Sequence, residues 1–108
     1  MNQYAVKITE LASEELEALY QYIAQNLSSP GNALRQYNRI ADAMLSLDTF
    51  PERFRVLESE PWHSMGLRRM TVDRYSVFYI VRERYVLVTD ILYSASSIED
   101  RLKGIPDT

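Results

Sequence analysis

Between Leu67 and Leu92 the chain carries three strand-like runs with almost nothing between them. LRRMTV, YSVFYIV and YVLVTDIL are rich in β-branched, aromatic and aliphatic residues, separated only by Asp73-Arg74 and by Arg82-Glu83-Arg84. Connections of two or three residues join antiparallel neighbours, because a parallel return needs a dozen residues or more. Strands are therefore predicted over Leu67–Val72, Tyr75–Val81 and Tyr85–Leu92, and the rest of the chain must be arranged around that sheet.

Upstream, YAVKI at 4 to 8 alternates Tyr4, Val6 and Ile8 against Ala5 and Lys7, the pattern of a short half-buried strand. Thr9 then stands where a helix N-cap belongs, and the glutamates after it favour the positive end of a helix dipole. Ala12, Leu16, Leu19, Tyr20, Ile23 and Leu27 form one apolar stripe of an amphipathic helix that ends over Asn26 to Ser29. Ser29-Pro30 is a second start signal, a capping hydroxyl followed by proline at the first helical position. Ala33, Tyr37, Ile40, Ala41, Met44 and Leu47 make the next stripe, and Phe50-Pro51 stops it. Two helices joined so closely are expected to pack as an antiparallel hairpin, bringing Arg35 and Arg39 towards the acidic first helix. Residues 51 to 65 have turn character. In the tail, Ser97 as cap, Glu99 and Asp100 in the first turn and Gly104 as stop predict one short helix.

The resulting order is β-α-α-β-β-β with a short C-terminal helix, an α+β fold in one domain spanning residues 1–108. A helical hairpin covers one face of a mostly antiparallel sheet. The other face has no element left to cover it and is expected to be solvated or bound by a partner.

Composition narrows the chemistry. Without cysteine there is no disulfide, no thiolate nucleophile and no Cys-ligated metal. A single histidine, His63, does not supply a two-His zinc site or a conventional catalytic triad. No metal and no cofactor are expected. No apolar run reaches the roughly 20 residues of a membrane span, and MNQYAVKITE has no basic-then-apolar export signal, so a cytoplasmic protein with no membrane role is expected. The net charge of −3 and pI near 5.1 oppose whole-surface attraction to nucleic acid. The charge is uneven, however. Residues 10 to 17 hold four glutamates and no base, whereas ten of the twelve basic residues are arginine and most lie from Arg35 onward. Arginine suits bidentate contact with carboxylate or phosphate, so a locally basic face is compatible with the acidic total.

Four stretches in this order resemble the RelE/ParE superfamily of bacterial type II toxins. They are YAVKITELASEELEALYQYIAQN, SSPGNALRQYNRIADAMLSLDTFPERF, GLRRMTVDRYSVFYIV and VTDILYSASSIEDRL. The resemblance covers nearly the whole chain. It rests on the Thr-x-x-Ala helix start, Leu-x-x-Phe-Pro at 47 to 51, and Gly-Leu-Arg-Arg followed by Tyr-x-x-x-Tyr. It implies a small toxin neutralised by a cognate antitoxin whose extended or helical segment wraps it. RelE-like members enter the ribosomal A site and cleave mRNA without a metal, using Arg, Lys, Tyr or His on strands and the C-terminal segment. ParE-like members lack most of those residues and inhibit DNA gyrase. Nucleases of the superfamily commonly carry arginine where this chain has Ser76, and basic residues where Tyr93 is followed by Ser94, Ala95, Ser96 and Ser97. Both departures remove cations that would stabilise a phosphorane or a leaving oxygen, which favours binding over cleavage.

RNA cleavage by a 2′-hydroxyl needs a base, a cation at the phosphate and an acid at the leaving oxygen. The residues that could supply such roles are Arg69, Arg68 and Tyr93. Strand alternation puts Arg69 and Thr71 on one face and Arg68, Met70 and Val72 on the other. Met70 and Val72 read as core, so Arg69 belongs to the uncovered face, where a solvated or antitoxin-contacting role is the simpler alternative to phosphate binding. Arg68 lies at the sheet edge or pairs with a carboxylate such as Asp90. Tyr93 could stack on a base or serve as an acid, against the simpler reading of a half-buried strand-end tyrosine. His63 reads as a surface histidine, Trp62 as a plug at the core edge, and Tyr75 and Tyr79 as core between sheet and helices. The readings left open are a ribosome-dependent mRNA endonuclease, a DNA gyrase inhibitor, and a decayed toxin that keeps only antitoxin binding.

Overall fold

The computed structural model describes residues 3–26 and 29–94. The expected C-terminal helix lies outside the described residues. The elements are β1 (Ala5–Ile8), α1 (Glu10–Gln21), a π-helical turn (Tyr22–Asn26), α2 (Pro30–Leu45), 3-10 turns at Ser46–Asp48 and Pro51–Arg53, α3 (Trp62–Met65), β2 (Leu67–Val72), β3 (Tyr75–Val81) and β4 (Tyr85–Tyr93). The three predicted strand spans are observed, with β4 one residue longer than expected.

β2, β3 and β4 form an antiparallel meander, and β1 adds in parallel on the far side of β4, giving the order β1-β4-β3-β2. The fold is α+β with two helices on a four-stranded mixed sheet. Thr9 caps α1 as its position predicts: its hydroxyl accepts from the Ala12 amide at 3.1 Å and donates to the Thr89 carbonyl at 3.2 Å. Ser29 does not cap α2 through its side chain; Pro30 starts that helix, and only the Ser29 carbonyl enters it, accepting from the Ala33 amide. The basic residues of α2 also depart from expectation. Arg39 does not turn to α1 but clamps Asp73 in the β2–β3 turn through two hydrogen bonds of 2.7 and 2.9 Å, with Gln36 adding a third. Arg35 hydrogen-bonds Asn32 within its own helix.

The core between helices and sheet is built from Ala12, Leu16, Ile40, Leu47, Met70, Val72, Val77, Tyr79, Val86, Val88 and Ile91. Tyr75 packs at its border, so the reading of Tyr75 and Tyr79 as core holds. The expectation of a wholly uncovered second face is corrected. A second cluster of Leu67, Phe78, Ile80 and Leu92 lies there, with Leu57 and Trp62 of the 54–66 segment packed against it. That segment is tied to the β2 edge by the Leu57 amide to the Leu67 carbonyl (2.8 Å) and the Arg69 amide to the Arg55 carbonyl (3.3 Å). A stretch with no periodic pattern thus straps the sheet, because two apolar side chains suffice to anchor it.

Candidate functional site

The arginine pair opens onto opposite faces, as strand alternation requires. Arg69 lies opposite Phe78 on the strapped face, its guanidinium 6.0 Å from that ring's centre. Its Nε donates to the Ser76 hydroxyl at 2.9 Å, and Ser76 is in turn 2.8 Å from the Ser94 hydroxyl. Ser76 is fully buried. It links β2, β3 and the end of β4 through the hydrogen bonds of Arg69 and Ser94.

Arg68 lies opposite Tyr79 on the helix face. Its Nη1 donates to the Phe54 carbonyl at 2.6 Å and the Glu52 carbonyl at 3.1 Å. Beside it the Tyr79 hydroxyl donates to the Pro51 carbonyl at 2.6 Å, and burial pushes the phenol up to about 12. Together they hold the turn after α2 against the sheet. Arg68 thus sits on the edge strand, one of its two expected positions, with carbonyls as its acceptors.

Tyr93 stands at the end of β4 opposite Tyr75, with the two rings edge-on at 5.7 Å. It is 45% exposed. Burial and then the neighbouring Tyr93 phenol raise the Tyr75 pKa, while Arg74 opposes the rise. Because Arg68 faces Tyr79 and Tyr93 faces Tyr75, the two are separated by four residues along the strand direction, about 13 Å at ~3.3 Å per residue. Arg69 is on the other side of the sheet. The three candidates are not brought together around one point.

His63 is exposed and its Nδ1 lies 2.9 Å from the Leu57 carbonyl, within the strap. Trp62 packs on the second cluster as expected. Among the described residues no group of three or more His, Asp or Glu side chains could hold a metal ion, and no helix is long and apolar enough to cross a membrane.

Three polar features escaped the sequence reading. Arg53 caps the end of α2 and its 3-10 extension, donating to the carbonyls of Ser46, Thr49 and Phe50 and to the Ser46 hydroxyl. Arg39 and Gln36 hold Asp73, and these hydrogen bonds, with the arginine's charge, keep its carboxyl below the ordinary range. A β-bulge between Phe78 and Tyr79 in the pairing with β4 leaves Thr89 as the extra residue. There α1 reaches down: the Glu15 carboxylate accepts from the Ile91 amide at 2.9 Å, next to the Thr9–Thr89 bond. Asp90, fully buried, sits within that bulge opposite Phe78. The Thr9 signal was legible as a cap but not as a bulge partner, since the extra residue in β4 leaves no mark on the sequence.

Comparison with known proteins places this arrangement. No curated protein matches the sequence. Among solved structures, a chain of the chromosomal ParDE toxin–antitoxin system from P. aeruginosa superposes with a TM-score of 0.70 at 22% identity, over 84% of this chain and 96% of that one. A chain of the RelBE2 toxin–antitoxin complex from Mycobacterium tuberculosis gives 0.59 at 19% identity, over 89% and 97%. The E. coli toxin RelE, as a double-arginine mutant in the free state, gives 0.63 at 15% identity, over 93% of each chain. At these identities the likeness concerns the fold. The family described as "ParE toxin of type II toxin-antitoxin system, parDE" matches residues 6–98. The chain therefore belongs to the ParE toxin family, within the RelE/ParE superfamily of type II toxin–antitoxin systems.

Proposed function

We propose that this toxin arrests growth by binding a protein target, DNA gyrase, rather than by cutting mRNA, and that a cognate antitoxin holds it inactive. One observation carries the choice. Arg68 and Arg69 open onto opposite faces with hydrogen bonds to internal acceptors, and Tyr93 stands about 13 Å along the strand direction from Arg68. Phosphoryl transfer needs its cation, base and acid within reach of one phosphate. The described residues offer no such convergence, whereas a binding toxin needs only a complementary surface. The ParE family match and the place of Ser76 support the same direction.

The antitoxin partner is supported by the company the fold keeps, since a ParDE system and a RelBE2 complex are among its structural relatives. Arg69 favours a second reading: its guanidinium lies on the strapped face beside the Ser76 and Ser94 hydroxyls, where it could hold a phosphate of ribosome-bound mRNA. Induced expression without antitoxin, with plasmid supercoiling and ribosome-positioned mRNA cleavage followed together, separates the two. Loss of supercoiling with intact mRNA supports gyrase. Cleavage that disappears in Arg69→Ala supports the nuclease. Normal growth at high expression leaves only the decayed toxin that retains antitoxin binding.

A further inference from the structure

Three tyrosines gather at the end of the molecule where the β2–β3 turn meets the last residues of β4. Tyr75 opens β3 and Tyr93 closes β4, with their rings 5.7 Å apart and tilted by 62°. Tyr22, in the π-helical turn after α1, is near enough for its phenol to act electrostatically on Tyr75. Tyr22 is 53% exposed and Tyr93 45% exposed, two of the few large hydrophobic side chains to face solvent among the described residues. Hydrogen bonds hold the turn beside two of these rings, Tyr75 and Tyr93. The Ser94 amide donates to the Arg74 carbonyl at 2.8 Å, closing β4 onto the turn, and Arg39 and Gln36 pin the other side of that turn through Asp73.

The β2–β3 turn beside these rings carries one cation that is unpaired among the described residues. Arg74 is exposed in the turn, and its acidic neighbour Asp73 is already compensated by Arg39. An anionic group approaching the rings therefore meets a guanidinium with no uncompensated carboxylate in the same turn, on a protein whose net charge is −3. Tyrosine and arginine are enriched at protein interfaces: tyrosine covers a large area with few rotatable bonds and keeps a polar tip, and arginine offers a planar fork of donors to a carboxylate.

We propose that the Tyr22–Tyr75–Tyr93 cluster, with Arg74 at its rim, is the surface through which this toxin grips its protein target, and that it receives an acidic segment of that target bearing aliphatic side chains. The inference rests on the target-binding reading above. The aliphatic groups lie against the tyrosine rings, the carboxylate pairs with Arg74, and the phenols hydrogen-bond the segment's main chain. Tyr93 then serves as a contact residue with no part in proton transfer.

The test compares the wild-type chain with Tyr22→Ala, Tyr93→Ala, Arg74→Glu and Arg74→Lys, each first shown to be folded by circular dichroism and thermal unfolding. Supercoiling by purified DNA gyrase and growth arrest on induction are both measured. For Tyr93→Ala and Arg74→Glu the toxin concentration giving half-inhibition of gyrase is expected to rise about tenfold or more, with Tyr22→Ala moving the same way and Arg74→Lys staying near wild type. Unchanged inhibition in folded variants overturns the inference. If the wild-type chain arrests growth without inhibiting gyrase, the gyrase assignment fails by itself and growth arrest decides the surface. Arrest kept by the variants overturns it. Arrest lost in them while mRNA stays intact in the wild type supports it for another protein target. If the wild type cleaves mRNA and the variants do not, the patch binds RNA and the inference is wrong. A wild-type chain that neither inhibits gyrase nor arrests growth contradicts both readings.

Discussion

Two consecutive arginines on one strand do two unrelated jobs, and the alternation of the strand is the reason. Arg68 secures the turn after α2 through the Glu52 and Phe54 carbonyls, while Arg69 leans on Ser76 across the opposite face. Replacing Ser76 by alanine removes the acceptor of the Arg69 Nε and the link to Ser94. The expected loss of stability is about 1 kcal/mol, read from urea unfolding. Tyr79→Phe removes a buried hydrogen bond to the Pro51 carbonyl, and a loss of about 1–2 kcal/mol is expected. The same tyrosine gives a pH signature. Its folded pKa, raised to about 12 from the ordinary 10.0, contributes stability that is fully present below pH 10 and is lost as pH rises towards 12. Unfolding followed between those values is expected to show a shallower alkaline loss in Tyr79→Phe than in wild type. The separation of Arg69 from Arg68 was legible in the sequence, because Met70 and Val72 mark the core side of the strand. Their acceptors were not, since they are the Glu52 and Phe54 main-chain oxygens and a serine hydroxyl on the neighbouring strand.

At the scale of elements, the strongest signals were those in which local chemistry and tertiary position agree. Thr9 is legible as an N-cap because its extended backbone, ψ 158, presents the hydroxyl to the first helical turn. Ser29 carries the same signal, but its ψ of 73 is not that extended geometry and its hydroxyl makes no cap bond. Thr9→Ala is expected to cost about 1–2 kcal/mol by chemical denaturation, because it removes the cap of α1 and the bond to the Thr89 carbonyl together. The β2–β3 turn is fixed by a conformation and a charge. Asp73 has φ 57, in the left-handed region that Asp and Asn tolerate and β-branched residues do not. Its lowered pKa means that the Arg39–Asp73 clamp stabilises the fold above the ordinary carboxylate pKa of 3.8 and is lost as pH falls through the lower folded value. Asp73→Asn is expected to keep the turn while flattening the acid limb of the stability–pH curve. Asp73→Val is expected to lower the melting temperature at neutral pH as well. The clamp itself was not readable beforehand: Arg39 and Asp73 are 34 positions apart, and the nearer acidic helix offered an equally plausible partner.

At the scale of the molecule, the three closely spaced strand runs fixed the meander, and the two apolar stripes fixed the helical layer above it. The parallel placement of β1 beside β4 and the strap across the second face were not legible. The first depends on where a long connection returns, and the second on Leu57 and Trp62 in a segment without periodicity. The strap matters for function, because it leaves a smaller part of the second face to a partner than a bare sheet would, and it draws attention to the tyrosine-rich end instead. The action proposed for this ParE-family toxin is binding of gyrase, not cleavage of RNA. It is tested most directly by adding the purified chain to DNA gyrase and relaxed plasmid, with a parallel reaction of translating ribosomes and mRNA. Dose-dependent loss of supercoiling and uncut mRNA are expected. Full supercoiling together with ribosome-dependent cleavage that Arg69→Ala abolishes would contradict it.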